Sequence, residues 1–138
     1  MQTYNTVEGF TISRLLNDAG VAAVFGSRIH VGTADQGTSN PYVVINITYA
    51  LGSYSMSGED DFTEASIQVD GYTSRASERA QGAVALRRAL GGASGTVSGV
   101  PIQGCFFKGR SDTYDDKDKL YRASLDFDVY YEEYTTTE

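Results

Sequence analysis

The stretch Tyr121-Arg122-Ala123-Ser124-Leu125-Asp126-Phe127-Asp128-Val129-Tyr130-Tyr131 decides the fold class. Tyr121, Ala123, Leu125, Phe127, Val129 and Tyr131 fall on one side, and Arg122, Ser124, Asp126, Asp128 and Tyr130 on the other. Successive side chains of a strand point to opposite faces. The segment therefore predicts a strand with one apolar face on a core and one carboxylate-bearing face turned to water or a partner.

The same design recurs upstream. Residues 42–50 read as a strand, with Val43, Ile45, Ile47 and Tyr49 on one face and Tyr42, Val44, Asn46 and Thr48 on the other. Residues 62–72 read as the next, with Ala65, Ile67 and Val69 inward and Glu64, Ser66, Gln68 and Asp70 outward. A fourth strand is expected over 100–108, and a short one over 28–31. Residues 7–18 predict a helix with Phe10, Ile12, Leu15, Leu16 and Ala19 as its apolar stripe and Gly20 as its stop; Val21 to Phe25 adds one further turn. Ser74 is the expected N-cap of a helix reaching about Leu90, with Ala76, Ala80, Ala83, Val84 and Leu90 at helical spacing and Gly91-Gly92 ending it. The stretches 32–41, 52–61 and 112–119 read as polar loops, 93–99 as a Gly/Ser connector and 132–138 as a frayed tail. The four long strands fall in two pairs, each linked by about ten residues, which suits antiparallel hairpins. The expected class is α+β: a mostly antiparallel four-stranded sheet with an N-terminal helix and one long helix between the two strand pairs, in one domain over 1–138.

Charge is unevenly spread. The chain carries a formal net charge of −7. Residues 111–138 hold nine acids and three bases, so the rest is almost balanced. The helix at 74–90 is locally basic through Arg75, Arg79, Arg87 and Arg88 against Glu78. The overall sign argues against tight wrapping of nucleic acid, whose affinity comes from neutralised phosphates. Those arginines read as a solvated helix face, as a nucleic-acid contact, or as partners for an acidic surface of another subunit. The outward tyrosines Tyr42, Tyr72 and Tyr130 are further interface candidates, because a core does not need them.

Catalytic patterns are missing. His30 and Cys105 are single, so no zinc spacing exists, and a His30–Cys105 dyad requires the fold to join them. Asp112, Asp115, Asp116 and Asp118 fail the calcium-loop spacing and read as a solvated acidic loop with at most adventitious divalent binding. Gly91-Gly92-Ala93-Ser94-Gly95 lacks the Lys-Ser/Thr of a phosphate loop. The reading is no enzyme and no cofactor. One cysteine fits a reducing compartment, the N-terminal residues do not read as a signal peptide, and no apolar run approaches the ~20 residues that span a bilayer.

Taken in order, these segments resemble a family. An N-terminal helix leads to Arg28-Ile29-His30, then Pro41-Tyr42-Val43-Val44, Ile67-Gln68-Val69-Asp70, the helix at 74–90 and Leu120-Tyr121-Arg122-Ala123-Ser124-Leu125-Asp126-Phe127. This ordered set is similar to the tail completion, or tail terminator, proteins of long-tailed bacteriophages and prophage-like particles. It departs at His30, where Tyr is more typical, and at Gly71-Tyr72, where a larger aromatic commonly follows the Asp.

The resemblance implies a mostly antiparallel sheet flanked by helices. It also implies a ring, of six copies, at the head-proximal end of a virion tail, assembled in the host cytoplasm. Its partners would be itself, the tail tube protein and a head connector or stopper protein, with DNA passing through unbound and no membrane. The ring would stop tube polymerisation and join the tail to the head. Expected subunit-interface residues are Arg75, Arg79, Arg87, Arg88, Tyr42, Tyr72 and Tyr130. Expected channel-lining residues are Asp112, Asp115, Asp116, Asp126 and Asp128, with Glu59, Asp60 and Asp61 as the alternative set. The competing readings are another connector or tube-like subunit and, from a different class, a small hydrolase with a carboxylate site.

Overall fold

The computed structural model describes the backbone except at residues 1, 5, 34–38, 56–57, 98–99, 133 and 137–138, and leaves the side chains of 2–4, 52–55, 58–62, 97, 100 and 134–136 undescribed. Three helices lie on one face of a six-stranded sheet. The elements run β1 (Gln2–Tyr4), α1 (Val7–Leu16), α2 (Ala19–Phe25), β2 (Ile29–Val31), β3 (Tyr42–Ser55), β4 (Gly58–Thr73), α3 (Ala76–Leu90), β5 (Gly95–Val97), β6 (Val100–Asp115), β7 (Leu120–Glu132) and β8 (Tyr134–Thr136). The main sheet has the order β2-β3-β4-β7-β6-β5, and β1 and β8 form a separate two-stranded ribbon. The sheet is mixed, because β2 joins β3 in parallel while every other pair is antiparallel.

The four-stranded antiparallel expectation is thus corrected to six strands and three helices. The physical reason is that β2 and β5 are three residues each and lean on long neighbours, so neither needs an apolar pattern of its own. Residues 7–25 form two helices rather than one with an extra turn. The Asp18 carboxylate accepts from Val21 N at 3.0 Å and starts α2, so Gly20 lies inside a helix instead of ending one. α2 stops at Gly26, whose φ of +62° suits glycine. The start of α3 is also shifted: Arg75 is its N-cap without a side-chain cap, and Thr73 Oγ1 donates to Arg75 O at 2.9 Å.

The polar stretches expected to be loops at 52–61 and 112–119 are mostly strand. β3 and β4 stay in register as far as Ser55 opposite Gly58, and β6 and β7 as far as Asp115 opposite Leu120. The two hairpin tips point away from opposite ends of the sheet, since Phe62 lies beside Glu132 and Thr73 beside Tyr121. The second arm gives no sequence signal because its residues 111–119 are exposed and neither face packs on a core.

The alternation read at 121–131 is the observed pattern. Ala123, Leu125, Phe127, Val129 and Tyr131 are buried with Val43, Ile45, Ala65, Ile67, Val69, Ile102 and Cys105. Tyr49 is corrected: a bulge at Thr48 puts it opposite Ser66, on the face away from the helices, and leaves it exposed. The stripe of α3 is corrected too. It buries Gly82, Ala83, Leu86, Ala89 and Leu90, whereas Ala76 and Ala80 are exposed and Val84 is 52% exposed.

Phe25 explains both the small residues of α3 and Gly71. Its ring lies between strand and helix, and a Cβ on Gly71 would come within 2.9 Å of Phe25 Cζ, one on Gly82 within 2.6 Å. Gly71, where the family resemblance led us to expect an aromatic, is the residue this approach permits. Gly→Ala inside a helix ordinarily stabilises by about 0.8–1 kcal/mol. Gly82→Ala is expected to reverse that sign and destabilise by about 1–3 kcal/mol through overpacking. Urea denaturation measures it, and adding Phe25→Leu should recover part of the loss. An unaltered or raised midpoint for the single variant would refute the wedge.

Candidate functional site

The face of the sheet away from the helices is the candidate interaction surface. Val44, Asp70, Ser124 and Ser111 form one cross-strand row on β3, β4, β7 and β6; Tyr42, Tyr72, Arg122 and Thr113 form the next. Asn46, Gln68 and Asp126 lie in a third.

At its centre is a buried carboxylate. Asp70 is 3% exposed, accepts from Gln68 Nε2 at 3.1 Å on each oxygen, and pairs with Arg122 Nη2 at 3.0 Å. The Arg122 guanidinium also lies 5.9 Å from the Tyr72 ring, which stacks on Tyr42 at 4.9 Å. His30 packs edge-on against Tyr42. Burial raises the hydroxyl pKa of both tyrosines. Tyr42 and Tyr72 therefore spend part of their surface on each other. At the other end, Tyr130 donates to Glu64 Oε1 at 2.9 Å, a bond that raises the tyrosine pKa, and Phe106 packs edge-on against Tyr130. Asp126 is exposed, and Asp128 pairs with Lys108 at 3.7 Å.

The predicted acids are not brought together. Asp126 and Asp128 share this face. Asp112 lies opposite Ala123 on the helix side, where Arg110 holds it at 2.8 Å and Arg79 approaches to 3.7 Å. The Arg110 hydrogen bond lowers the Asp112 pKa. Asp115 accepts from the backbone of Lys117 and Asp118 in the β6–β7 turn, and Asp116 is exposed there. The side chains of Glu59, Asp60 and Asp61 lie outside the described residues.

The basic helix is also divided. Arg79 donates to Thr113 O and covers the Tyr121 ring, and Arg87 stacks 4.3 Å from the Phe107 centroid. Arg75 and Arg88 are exposed. Sequence reasoning missed the Asp70–Arg122 pair. The available signal was register: two outward charges of opposite sign on adjacent strands.

The fold does not join His30 to Cys105. His30 and Cys105 are on opposite faces with three strands between them, about 19 Å at the usual strand spacing. Burial pushes the Cys105 thiol up to about 12, which makes it unreactive. Among the described residues, no group of three or more His, Cys, Asp or Glu is placed to hold a metal, and no helix is long and apolar enough to cross a membrane.

Two outcomes are expected. Arg122→Ala strands the Asp70 carboxylate; because Arg122 is 36% exposed, the loss should fall to about 1–3 kcal/mol, below that of a fully buried pair. Arg122→Met with Asp70→Asn should recover much of it in chemical denaturation. Asp112 has a folded pKa below its unfolded 3.8, so its contribution is present above that value and lost as pH falls through the folded one. The pair is partly exposed, so Asp112→Asn should cost under about 1 kcal/mol at pH 7 and nothing once the carboxyl is protonated.

Comparisons with known proteins agree with this picture. The tail completion protein gp17 family matches residues 12–132. A chain from a structure described as the virion of a native gene transfer agent particle has the same fold, with a TM-score of 0.77, 19% identity, and coverage of 91% of this chain and 94% of that one. No curated protein sequence matches significantly. Tail completion is a structural task, so the family makes this chain a tail structural protein and not an enzyme. The chain belongs to the tail completion protein gp17 family.

Proposed function

We propose that copies of this chain close into a ring, of six on the family resemblance, at the head-proximal end of a phage-type tail. The ring caps the tube, ends its polymerisation and joins it to the head connector or stopper protein. The observation that carries this reading is the one-sided sheet: helices cover one face, and the other presents Glu64, Asp70, Asp126 and Asp128 against Arg122 and Lys108. Turned inward, that face forms an acidic wall. It repels DNA phosphates, which a basic wall would hold, although salt screens the effect beyond ~8 Å.

In this arrangement Asp126 and Asp128 line the channel, while Asp115 and Asp116, at the tip of the β6–β7 hairpin, belong to a rim. Asp112 stays on the helix side. Glu59, Asp60 and Asp61, near the β3–β4 tip, are on the opposite rim or against a neighbour. The two hairpin tips leave opposite ends of the sheet. One meets the tube and the other the connector.

Negative-stain microscopy of the purified protein, alone and with tail tubes, tests the assembly. Rings with a central channel and tubes capped at one end are expected, and hydrogen exchange at one hairpin tip should slow on capping. A protein that neither oligomerises nor binds tube ends sinks the proposal. Asp126→Lys with Asp128→Lys should still assemble but slow DNA ejection; normal ejection would remove the channel assignment.

A further inference from the structure

The long strands β3 and β6 are each paired along only part of their outer edge. β2 covers β3 at Val43, Val44 and Ile45, and β5 covers β6 at Val100, Pro101 and Ile102. Among the described residues, no strand pairs with the outer edge of β3 over 46–55 or of β6 past Ile102; Gly92 N holds the Cys105 carbonyl at 2.8 Å, so the free stretch of β6 is 106–115. Unpaired edges are normally short, charged or covered, because bare N–H and C=O groups recruit other strands. Here the opposite holds. Among the described residues, Tyr49 and Leu51 on β3 and Phe106 and Tyr114 on β6 are four of the seven exposed large apolar side chains, and all four lie within the unpaired stretches.

We propose that these two edges are the subunit contact: residues 46–55 of one copy add as a strand beside residues 106–115 of the next. The inference rests on the ring reading above and names its interface. Three observations make a second copy the occupant.

The first is strand direction. β3 is antiparallel to β4, β4 to β7 and β7 to β6. Placing the β6 of one copy beside the β3 of the next therefore continues the antiparallel alternation and keeps the open face on one side. The contact is head-to-tail, and so propagates to a closed ring.

The second is the position of the covers. β2 and β5 sit at diagonally opposite corners of the sheet. With equal registers, residues 110–115 of one copy would run into β2 of the next. Sliding the copies by about four to six residues clears both covers and matches the free stretches to each other. That slide is ~13–20 Å over four strands spanning ~19 Å, a tilt of about 35–45°, the range of closed barrels.

The third is charge. Residues 46–64 contain Glu59, Asp60, Asp61 and Glu64 and no base; on β6, Lys108 and Arg110 are already paired with Asp128 and Asp112, so the exposed cations that meet this arm are Arg87 and Arg88 of α3. Arg87 and Arg88 flank an open groove of about 390 Å³ beside Phe106 and Phe107, on that same β6 side. In the staggered contact the acidic arm of one copy lies along this basic flank. The charges set orientation, and the strand pairing with its apolar side chains supplies the contact.

Single cysteines at two exposed positions test it: Leu51→Cys in one chain and Lys108→Cys in another, treated with a short bis-maleimide. Buried Cys105 stays silent. Mixed, the two variants should give cross-linked heterodimers; each alone should give none, and the double variant should ladder up to the closed ring. Circular dichroism checks folding. As a second route, Leu51→Lys and Phe106→Lys, each on a folded monomer, should shift the oligomer to monomer in light scattering. If wild type assembles but the mixture gives no cross-link and the lysine variants assemble normally, the edge contact is overturned while the ring reading survives. If wild type stays monomeric, alone and with tail tubes, both fail.

Discussion

The fold depends on how closely two helices are allowed to approach one strand. Phe25, at the end of α2, fills the space where α3 and β4 would otherwise hold side chains of their own, and Gly71 and Gly82 are the positions that make room for it. With this ring 1% exposed, α2 packs on α3 and reaches β4 through Phe25, and Leu86 and Leu90 reach the core from the same stripe of α3. α1 is then tied to the end of α3 by Arg14, whose Nε donates to Ala89 O at 3.1 Å. A bulkier residue at either glycine would separate helix from sheet, because packed interiors do not absorb an extra methylene without strain.

Placing all three helices on one face has a consequence for the other. An antiparallel sheet tolerates water on one side, but this open side is not simply solvated. It buries Asp70 under Arg122, stacks Tyr42 on Tyr72 and leaves Tyr49, Leu51 and Phe106 bare. Its charges are fixed through internal pairs, and its apolar groups are exposed at the borders. The Asp70 pair holds the Arg122 guanidinium, and Asp126 is the exposed acid of this face.

How much of this was legible in the sequence followed from where packing is strict. The strand at 121–131 and the inward set Ala65, Ile67 and Val69 were readable because a buried face enforces a period of two. The strand over 112–115 was not, since a strand with no core beneath it looks like a loop. Tyr49 was misplaced because a single bulged residue inverts the alternation without altering composition. On α3, Val84 was preferred to Leu86 although only the latter faces the sheet, because alanine-rich stripes of similar hydrophobicity fit more than one helical phase. The arginines were grouped by sequence, and the structure divides them: Arg79 and Arg87 are engaged with Tyr121 and Phe107, whereas Arg75 and Arg88 are exposed.

The two short strands carry a meaning that their length conceals. A three-residue strand contributes little pairing energy, although Ile29 of β2 packs against the core. Their placement at opposite corners matters more than their strength. Each blocks one end of an edge and leaves the remainder open, so a strand arriving from outside fits only over a narrow range of offsets. Edge protection in sheet proteins ordinarily forbids addition altogether. Partial protection selects a register instead, and in an antiparallel sheet register decides which face every side chain occupies. A ring built this way would keep Asp126 and Asp128 on the same wall in each copy, which a freely sliding edge would not.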